Sequence, residues 1–333
     1  MLQSKSKYYF TRLDAAAQRV YRNILKAWEA RDREPSFLTN PLGGADIQKI
    51  VEYIASDNPG LFYVDFSRIT FIRAPLKTTV QSDFLFSDSQ VSDMEKQLKQ
   101  AASALFAQYV PDGADNYAKE LALHDALAQT VSYAYEGRGG GAASIVGGLL
   151  THRAVCEGYA KTFKLLCDLA GLSCLVVCGR AKPHDRPEEN HAWNIVKLGG
   201  ACAHVDVTWD STMRQGNEPC YDHFNLTDQD AGQDHFWERP VLPPCASAQN
   251  NYFVRNGSYV ASSLELKNLL AARLLSGEKT VSVRFNRKFD GQEQVLHMVS
   301  KMISQDPQLS KIRLNAIGLR YNPVRSTASI SLM

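Results

Sequence analysis

The chain has 333 residues, of which 44% are hydrophobic and 22% are charged, and its formal net charge is +2. This composition is that of an ordinary globular protein and excludes a fibrous or largely disordered chain. The near balance of 37 basic and 35 acidic residues argues against nucleic acid or an anionic membrane surface as the main partner. Because the seven cysteines are an odd number, at least one thiol stays outside any intrachain disulfide.

Targeting and membrane signals are absent from the sequence as given. The first residues become charged without passing through an apolar segment, unlike a secretory signal peptide. No window approaches the roughly 18 apolar residues of a spanning helix, so we expect no membrane span. A cytoplasmic location is slightly favoured, because unpaired thiols suit a reducing compartment. The alternative is an exported protein expressed without its leader.

The N-terminal part predicts helices and short strands and ends at the turn Pro111-Asp-Gly113. We therefore predict an accessory region over residues 1–112. Its predicted elements are a helix over 11–32, a helix over 45–56, strands at 61–64, 68–73 and 78–86, and a helix that starts at the capping box Ser92-x-x-Glu95.

The central part, residues 113–248, opens with a predicted helix over 115–132 and a glycine-rich stretch over 137–148. Gly137-x-Gly139 resembles the start of a dinucleotide-binding fingerprint. That fingerprint follows a strand, however, whereas a helical segment precedes these glycines. We therefore predict a flexible loop here and no nucleotide cofactor.

A cysteine stands at the start of the next predicted helix. From Cys156 an apolar stripe runs to Gly171, which is a typical helix end. The members of the stripe are Tyr159, Phe163, Leu166 and Ala170. Unpaired amides and the positive end of the helix dipole stabilise a thiolate in the first turn, so Cys156 is a candidate nucleophile. The alternative is a small core residue, which is the commoner role of a lone cysteine.

The glycines Gly199–Gly200 lie between two strand-like runs and predict a β-hairpin. If they form the turn, His191 lies opposite Thr208. Asp206 then lies opposite Trp193, on the same face of the sheet. His191 and Asp206 become diagonal neighbours, roughly 7–8 Å apart at the backbone and within side-chain reach. A carboxylate in that position can hold the imidazole in one tautomer and stabilise the imidazolium.

These residues together favour thiol acyl transfer. In that chemistry a cysteine attacks a carbonyl carbon while a histidine moves the proton. The oxyanion that develops needs hydrogen-bond donors, of which the Cys156 backbone amide is one.

The last part, residues 249–333, predicts a small α/β region with no chemistry of its own. Its predicted elements are a helix that is capped by Ser262-x-x-Glu265 and ends at Gly277, a strand over 279–285, a helix over 292–304, and strands near 311–321 and 325–332.

Residues 120–210 closely resemble the bacterial transglutaminase-like family of the papain-like cysteine enzymes. The matching motifs occur in the family's order and at its usual spacing. They are Val155-Cys-Glu-Gly-Tyr-Ala160, His191-Ala-Trp-Asn194 and His204-Val-Asp-Val-Thr-Trp-Asp210, with Val131-Ser-Tyr-Ala-Tyr135 and Tyr221-Asp-His-Phe-Asn225 as flanks. One departure is Ala201-Cys202, where the family often has an aromatic residue.

The resemblance implies an α+β core, in which the helix with Cys156 packs against an antiparallel sheet with His191 and Asp206. It implies that Cys156 is the nucleophile, His191 the general base and acid, and Asp206 the orienting group. The implied reaction is acyl transfer on amide bonds of a protein or peptide substrate through a thioester. Hydrolysis by a peptidase or amidase is slightly favoured over transfer to an amine acceptor, as in a transglutaminase. No cofactor and no metal are expected.

The motifs do not identify the side chain that completes the oxyanion hole. Papain-like relatives use a glutamine shortly before the cysteine, where this chain has Leu149-Leu-Thr-His152. The candidates for this donor are Tyr133, Tyr135, His152 and Trp209. Trp193 and Trp209 are expected as walls of the core or of the cleft, because large aromatic side chains most often pack.

Two other functions stay open. The first is a non-catalytic module that keeps the fold and binds a peptide or partner. The second, a metal-dependent hydrolase, is disfavoured because no Cys-x2-Cys or His-x3-His pattern occurs. The nearest zinc-like pattern, Cys174-x3-Cys178 with His184 beyond it, lies in an apolar run typical of core thiols. Cys202 and His204 are likewise not expected to bind a metal; His204 is expected to have a structural role, and the role of Cys202 stays open. The oligomeric state does not follow from the sequence.

Overall fold

The computed structural model describes residues 7–38, 44–137, 139–183, 186–214, 216, 218–307, 309 and 316–332. His184 of the zinc-like pattern and residues 311–315 of a predicted strand lie outside this part of the chain. Within it, no helix combines the length and the hydropathy that crossing a membrane requires.

Helices and a small antiparallel sheet form the N-terminal region. Its elements are α1 Ala15–Glu29, β1 Ser36–Leu38, α2 Gly44–Asp57, β2 Val64–Ala74, β3 Lys77–Phe84 and α3 Asp88–Tyr109, with the sheet order β1-β3-β2. The start predicted for α3 is wrong, because its capping box is formed by Ser87 and Gln90. Ser92 lies inside the helix, where its hydroxyl donates to the carbonyl of Asp88. Both serines fit the same short pattern, so the pattern alone does not choose between them.

The N-terminal region shares one hydrophobic core with the central part of the chain. Trp28 of α1 and Ile54 of α2 are fully buried in the same cluster as Phe163, which belongs to the helix that begins at Cys156. The Tyr9 hydroxyl also donates to the backbone carbonyl of Val176 over 2.6 Å. Because apolar burial is the main favourable term in folding, the two parts stabilise each other.

A five-stranded antiparallel sheet with a helix packed on it forms the centre of the protein. The elements are α4 Asn116–Thr130, β4 Ser132–Tyr133, β5 Arg153–Ala154, α5 Cys156–Leu169, β6 Ser173–Ala181, β7 Glu189–Leu198, β8 Ala201–Val205, α6 Val207–Thr212, β9 Phe224–Leu226, α7 Asp228–Ala231, β10 His235–Phe236 and α8 Tyr252–Arg255. The sheet order is β10-β6-β7-β8-β9. Helix α5 packs on β6 and β7, so the predicted α+β class is confirmed.

The hairpin of β7 and β8 has the register that its glycine turn predicts. Leu198 pairs with Ala201, and the ladder continues to the pair Asn194 and Val205. Both turn residues have positive φ, 54° at Gly199 and 88° at Gly200. A two-residue turn of this kind favours glycine because side chains are strained there.

The strand after the turn is shorter than predicted, and this changes the surroundings of Asp206. Strand β8 ends before Asp206, so the predicted strand pairing of Asp206 with Trp193 is wrong. Asp206 instead caps α6, with its carboxylate accepting from the amides of Thr208 and Trp209. An aspartate before exposed helical amides favours this cap over a continued strand.

The C-terminal region has its own sheet and its own hydrophobic cluster. Its elements are β11 Tyr259–Val260, α9 Ser263–Leu275, β12 Thr280–Phe285, α10 Gln292–Gln305, β13 Ile317–Asn322 and β14 Thr327–Leu332, with the sheet order β11-β12-β14-β13. Leu270, Val283 and Val299 lie in this cluster. Arginine–aspartate pairs connect this region to the central part, namely Arg284–Asp230, Arg320–Asp222 and Arg325–Asp234.

The buried carboxyl group of Glu120 on α4 makes the stability of the protein depend on pH. Glu120 is fully buried, and the amide of Asn225 donates to its Oε2 over 2.8 Å. Within the described part of the chain, its Oε1 and the Asn225 Oδ1 have no hydrogen-bond partner. Burial raises the pKa of Glu120 to about 8, although the hydrogen bond from Asn225 acts in the opposite direction and lowers the pKa.

Glu120→Gln is therefore expected to stabilise the protein in alkaline solution. A carboxyl group whose pKa is raised by folding binds its proton longer in the folded state, so its contribution to stability falls from about pH 4.5, its usual pKa, up to about pH 8. Glutamine keeps the shape, supplies an N–H donor and cannot ionise. Urea unfolding at about pH 9 should give a free energy of unfolding about 2 kcal/mol higher for the variant than for the wild type. At about pH 4 that advantage should vanish, and an equal advantage at both pH values would contradict the argument.

Candidate active site

A cleft of about 1000 Å³ opens between the N-terminal region and the central sheet. Cys156 and His191 line it from the central part of the chain. The opposite wall is formed by α2 and by the segment that follows β10, and includes Lys49, Tyr53 and Glu238. Clefts of this size accommodate ligands larger than a single side chain.

Cys156 begins α5, as its apolar stripe predicts, and it is partly exposed and free. The preceding residue, Val155, is the N-cap of α5, and its side chain makes no capping hydrogen bond. The amides of the first turn are therefore not occupied by a capping side chain at that position. Gly158, two residues after Cys156, lets the first turn of α5 approach the backbone of Ala142 closely. A Cβ at Gly158 would lie 2.1 Å from the carbonyl oxygen of Ala142. The local sequence thus holds the thiol at a helix N-terminus that packs tightly against its neighbouring loop.

His191 connects the thiol to a buried carboxylate. Its Nε2 donates to the Asp206 Oδ2 over 2.7 Å, and a hydrogen bond with Cys156 contributes to its proton affinity. Because Nε2 is taken by Asp206, Nδ1 is the ring nitrogen left for the thiol. Strand β7 carries His191, the cap of α6 carries Asp206 and α5 carries Cys156. The structure therefore brings these three predicted residues together from three elements.

The electrostatics of this group favour a charged imidazole. Burial alone would lower the pKa of His191, but the charge and hydrogen bond of Asp206, with Cys156, raise that pKa to about 10. Burial would raise the pKa of Asp206, yet His191 and His235 hold it well below its usual range. The pair therefore stays ionised at neutral pH. An ionised carboxylate behind a protonated imidazole is the arrangement that stabilises an adjacent thiolate.

Trp193 and Trp209 enclose the imidazole of His191. The Trp193 ring stacks on it with centroids 6.0 Å apart and an interplanar angle of 19°. The Trp209 ring lies 5.5 Å away. Both indoles are buried, and neither is among the side chains that line the large cleft in the described part of the chain. They pack around the histidine and restrict its rotation.

The remaining candidates for the oxyanion site differ in position. Tyr133 packs beside Val155, and the pKa of its hydroxyl is raised to about 12 by burial and by the nearby Cys156, so it remains a donor. Tyr135 is 78% exposed and contacts Tyr133 edge-on at 4.9 Å. His152 is exposed and has a left-handed backbone, with φ of 53°. Of these, Tyr133 is the one that the electrostatics relate to Cys156.

Among the residues that the structure describes, two groups of side chains have the composition of metal ligands, with donor atoms within 4.8 Å of one another. One consists of His191, Asp206 and His235, and the other of His204, Asp228 and Cys245. Hydrogen bonds account for both arrangements. In the second, the Trp193 indole N–H donates to His204 Nδ1 over 3.0 Å, so Nε2 carries the proton that faces Asp228 at 2.9 Å. No lone pair of that ring is left for a cation.

Sequence reasoning missed His235, which the structure places against Asp206. Its Nε2 donates to the same Oδ2 that His191 contacts, over 3.1 Å. Its Nδ1 lies 2.5 Å from the Asp234 Oδ1. A signal existed in the sequence, because an Asp-His dipeptide occurs twice after the Asp206 motif, at Asp222-His223 and at Asp234-His235. The pattern alone does not tell which pair reaches the site.

Part of the chain is similar to known proteins. Residues 104–209 match the model of the transglutaminase-like superfamily. The kyphoscoliosis peptidases of Homo sapiens and Mus musculus are 27% and 26% identical to this chain over 205 residues. Each match covers 55% of this chain and 30% of the relative, so the chain spans about a third of the length of these curated relatives. The crystal structure of a TGase aligns with a TM-score of 0.31 and 10% identity, over 55% of this chain and 52% of that one.

Proposed function

Since residues 104–209 are a domain of the transglutaminase-like superfamily, we propose that this protein is a thiol-dependent acyl-transfer enzyme with Cys156 as its nucleophile. The observation that carries the proposal is the contact of Cys156 with His191 in one open cleft, with Asp206 2.7 Å behind the ring. His191 serves as base and acid, and Asp206 orients it. A thiol, an imidazole and a carboxylate in this order are the parts that nucleophilic catalysis by cysteine requires.

In the first half of the reaction the Cys156 sulfur attacks the carbonyl carbon of an amide. The sulfur attacks as a thiolate, because its proton already resides on the His191 imidazolium, and the carbonyl electrons move onto the oxygen. The Cys156 backbone amide donates to that oxyanion. For the second donor we propose Tyr133, which packs on the cluster of Val155 at the start of α5 and lies close enough to Cys156 for the two to interact electrostatically, although it is not among the described side chains that line the large cleft. When the C–N bond breaks, the His191 imidazolium gives its proton to the departing amine, leaving a Cys156 thioester.

In the second half an acceptor attacks the thioester, and His191 takes the acceptor's proton. The sulfur leaves as a thiolate with the electron pair of the broken C–S bond, beside the His191 imidazolium, and the starting state is restored. Water as acceptor gives hydrolysis, and an amine gives a new amide. We favour water slightly, as for a peptidase or amidase, because Cys156 faces an open cleft that water can enter.

A protein or peptide segment is the substrate class that suits the cleft. The cleft volume of about 1000 Å³ exceeds what one side chain fills. Its walls combine aromatic side chains such as Tyr53 and Trp237 with charged ones such as Lys49 and Glu238. This mixture suits a segment with both apolar and polar side chains, held by shape rather than by a bulk charge.

Mass spectrometry of Cys156 tests the proposal directly. The full chain is incubated with peptide libraries, quenched in acid and digested, with and without an added primary amine. We expect acyl adducts on Cys156, new free termini without the amine, and amide products with it if amines are accepted. Cys156→Ala should form no adduct, whereas Cys202→Ala, which removes a thiol outside the cleft, should behave as the wild type. Adducts only on other cysteines, or none with any library, would refute the proposal.

The pH dependence of turnover follows from the proton affinity of His191. The imidazolium must be present to protonate the departing amine, and the pKa of His191 is raised to about 10. The alkaline limb of kcat/KM should therefore lie near about pH 10, well above the usual imidazole pKa of about 6.5. Measurement between about pH 5 and about pH 11 will report values that belong to the thiol–imidazole pair. A decline that begins near neutral pH would show that the carboxylate does not hold the proton on His191.

A further inference from the structure

We propose that Arg325, which the C-terminal region contributes, is a positioning residue for the active site, acting through Asp234 and His235 on Asp206. The inference rests on the proposed function, because it concerns the support of the pair His191 and Asp206. It gives the C-terminal region a part in the reaction, although that region has no evident chemistry of its own.

The first link is the carboxylate of Asp206, which is shared between two imidazoles. Its Oδ2 accepts from His191 over 2.7 Å and from His235 over 3.1 Å. Its Oδ1 accepts from the amides of Thr208 and Trp209 over 3.0 and 3.2 Å. All donors converge on a side chain that is 3% exposed. The orientation of Oδ2 toward His191 therefore depends on the position of the His235 ring.

The second link holds His235 in place. Its Nδ1 lies within hydrogen-bond distance of the Asp234 carboxylate, and its ring packs 4.6 Å from Trp209 and 4.8 Å from Trp193. The side chain is 2% exposed, so no water replaces a lost contact easily. With Asp234 on one side and Asp206 on the other, both ring nitrogens of His235 face carboxylate oxygens. The ring thus connects two carboxylates rigidly.

The third link is Arg325. Its Nη2 donates to the Asp234 carboxylate and its Nη1 to the backbone carbonyl of Asp230. Arg325 is 2% exposed, which is rare for arginine and indicates that its charge is matched by a specific partner. Removing one member of a buried pair leaves the other charge uncompensated. Without Arg325, Asp234 would have to move or bind a proton, and His235 would lose its fixed acceptor.

The turn between β13 and β14 places Arg325 beside Asp234. Arg325 lies in the tight turn between β13 and β14, where the Asn322 side chain accepts from the amides of Val324 and Arg325. Ser326, the next residue, has a left-handed φ of 54°. The turn itself is tied to the central part of the chain through Asp222, which accepts from Asn322 over 2.9 Å. The guanidinium is therefore placed by a defined turn rather than by a flexible tail.

Several charged groups surround the link and enter any measured pH dependence. Asp206 faces His191 and His235, and Asp234 faces His235, Arg325 and, at 3.8 Å, the Nε2 of His223. Loss of Arg325 removes one positive charge from this group and loosens one of the two imidazoles on Asp206. Without its fixed neighbour, Asp206 loses one of the contacts that aim Oδ2 at His191, and the imidazolium is held less firmly beside Cys156.

The test compares Arg325→Met with Arg284→Met. Arg284 also crosses from the C-terminal region to an aspartate, Asp230, at 2.5 Å, but it makes no contact with Asp234. The rate of alkylation of Cys156 by iodoacetamide is followed by mass spectrometry between about pH 5 and about pH 9. We expect about a tenfold slower reaction and a displaced pH profile for Arg325→Met, with Arg284→Met close to the wild type. Arg325→Lys, which keeps the charge, should recover part of the rate.

A second readout reports the positioning itself. The proton between His191 Nε2 and Asp206 has a far-downfield proton NMR signal when the bond is short, and it should shift in Arg325→Met and not in Arg284→Met. Equal alkylation and equal signals in the two variants would overturn the inference. If Arg325→Met does not fold, His235→Gln in the intact chain takes its place, and wild-type values for both readouts in that variant would overturn it as well.

Failure of the proposed function would look different. In that case Cys156 of the wild type would react no faster than Cys202, and no library would acylate it. The NMR signal of His191 would still decide whether Arg325 positions Asp206.

Discussion

Asp206→Asn is expected to give a folded protein whose acyl-transfer rate is about 10⁴-fold lower than that of the wild type. The Asn Oδ1 can still accept from the amides of Thr208 and Trp209, so the cap of α6 survives. The Asn side chain has an NH2 group where the wild type has the Asp206 Oδ2. This donor faces the Nε2–H of His191, so the hydrogen bond between the two side chains is lost. The imidazole must then change tautomer or turn away, and the charge that stabilised the imidazolium is gone. Steady-state kcat/KM with a peptide amide measures the loss.

Asp14→Ala separates this effect from the loss of a helix cap. Asp14 caps α1 through the Ala17 amide over 2.8 Å and lies outside the cleft lining. Its removal should lower the free energy of unfolding by about 1 kcal/mol and leave the rate unchanged. Asp206→Ala should show both effects, because it loses the cap and the charge. An Asp206→Asn variant that retains more than about a tenth of the activity would show that the carboxylate charge is not required.

Gly158→Ala is expected to destabilise the protein by about 3 kcal/mol and to displace the thiol. The new Cβ would stand 2.1 Å from the carbonyl oxygen of Ala142, which already accepts from the Val155 amide over 3.1 Å. The backbone must separate at this contact, and Val155 and Cys156 shift with it. Alanine would ordinarily favour a helix over glycine by about 1 kcal/mol, so a net loss identifies the contact as the cause. Urea unfolding and the rate of Cys156 alkylation measure the two consequences.

Gly139→Ala is the matched control for that substitution. Gly139 lies in the glycine-rich segment 137–148 that also contains Ala142, and a Cβ there meets none of the described residues within 4 Å. Its free energy of unfolding should stay within about 0.5 kcal/mol of the wild type. If Gly158→Ala proved equally harmless, the close approach of α5 to Ala142 would not be what fixes the helix start.

The parts of the site that could be predicted are those fixed by local chemistry. A two-residue glycine turn sets the register of both flanking strands, so Gly199–Gly200 were enough to bring His191 near Asp206. An apolar stripe that begins at Cys156 and ends at Gly171 places the cysteine in the first helical turn. Both signals act over a few residues, and no distant part of the chain overrides them.

Competition between local signals caused the errors. Asp206 sits where a strand could continue, but the amides of Thr208 and Trp209 are better satisfied by its carboxylate in a helix cap. Ser87 and Ser92 both open a capping-box pattern, and the helix begins at the earlier one. In each case two local structures are compatible with the sequence, and packing decides.

Long-range contacts could not be predicted at all. His235 reaches Asp206 from β10 at the sheet edge, and Arg325 reaches Asp234 from a turn of another region. Tyr53 faces the cleft only because α2 packs on β6. Nothing in the spacing of these residues relates them, because their proximity results from tertiary packing.

The wall of the cleft that includes Tyr53 has a consequence for how the protein folds. Residues from α2, from α5, from β7 and from the turn at Arg325 must all meet before the thiol has its full surroundings. Contacts between residues far apart in sequence are slow to form, because the intervening chain loses entropy when its ends meet. Refolding from urea should therefore recover helical circular dichroism early and Cys156 reactivity late. The order of these two signals makes the thiol a reporter of the last step of assembly.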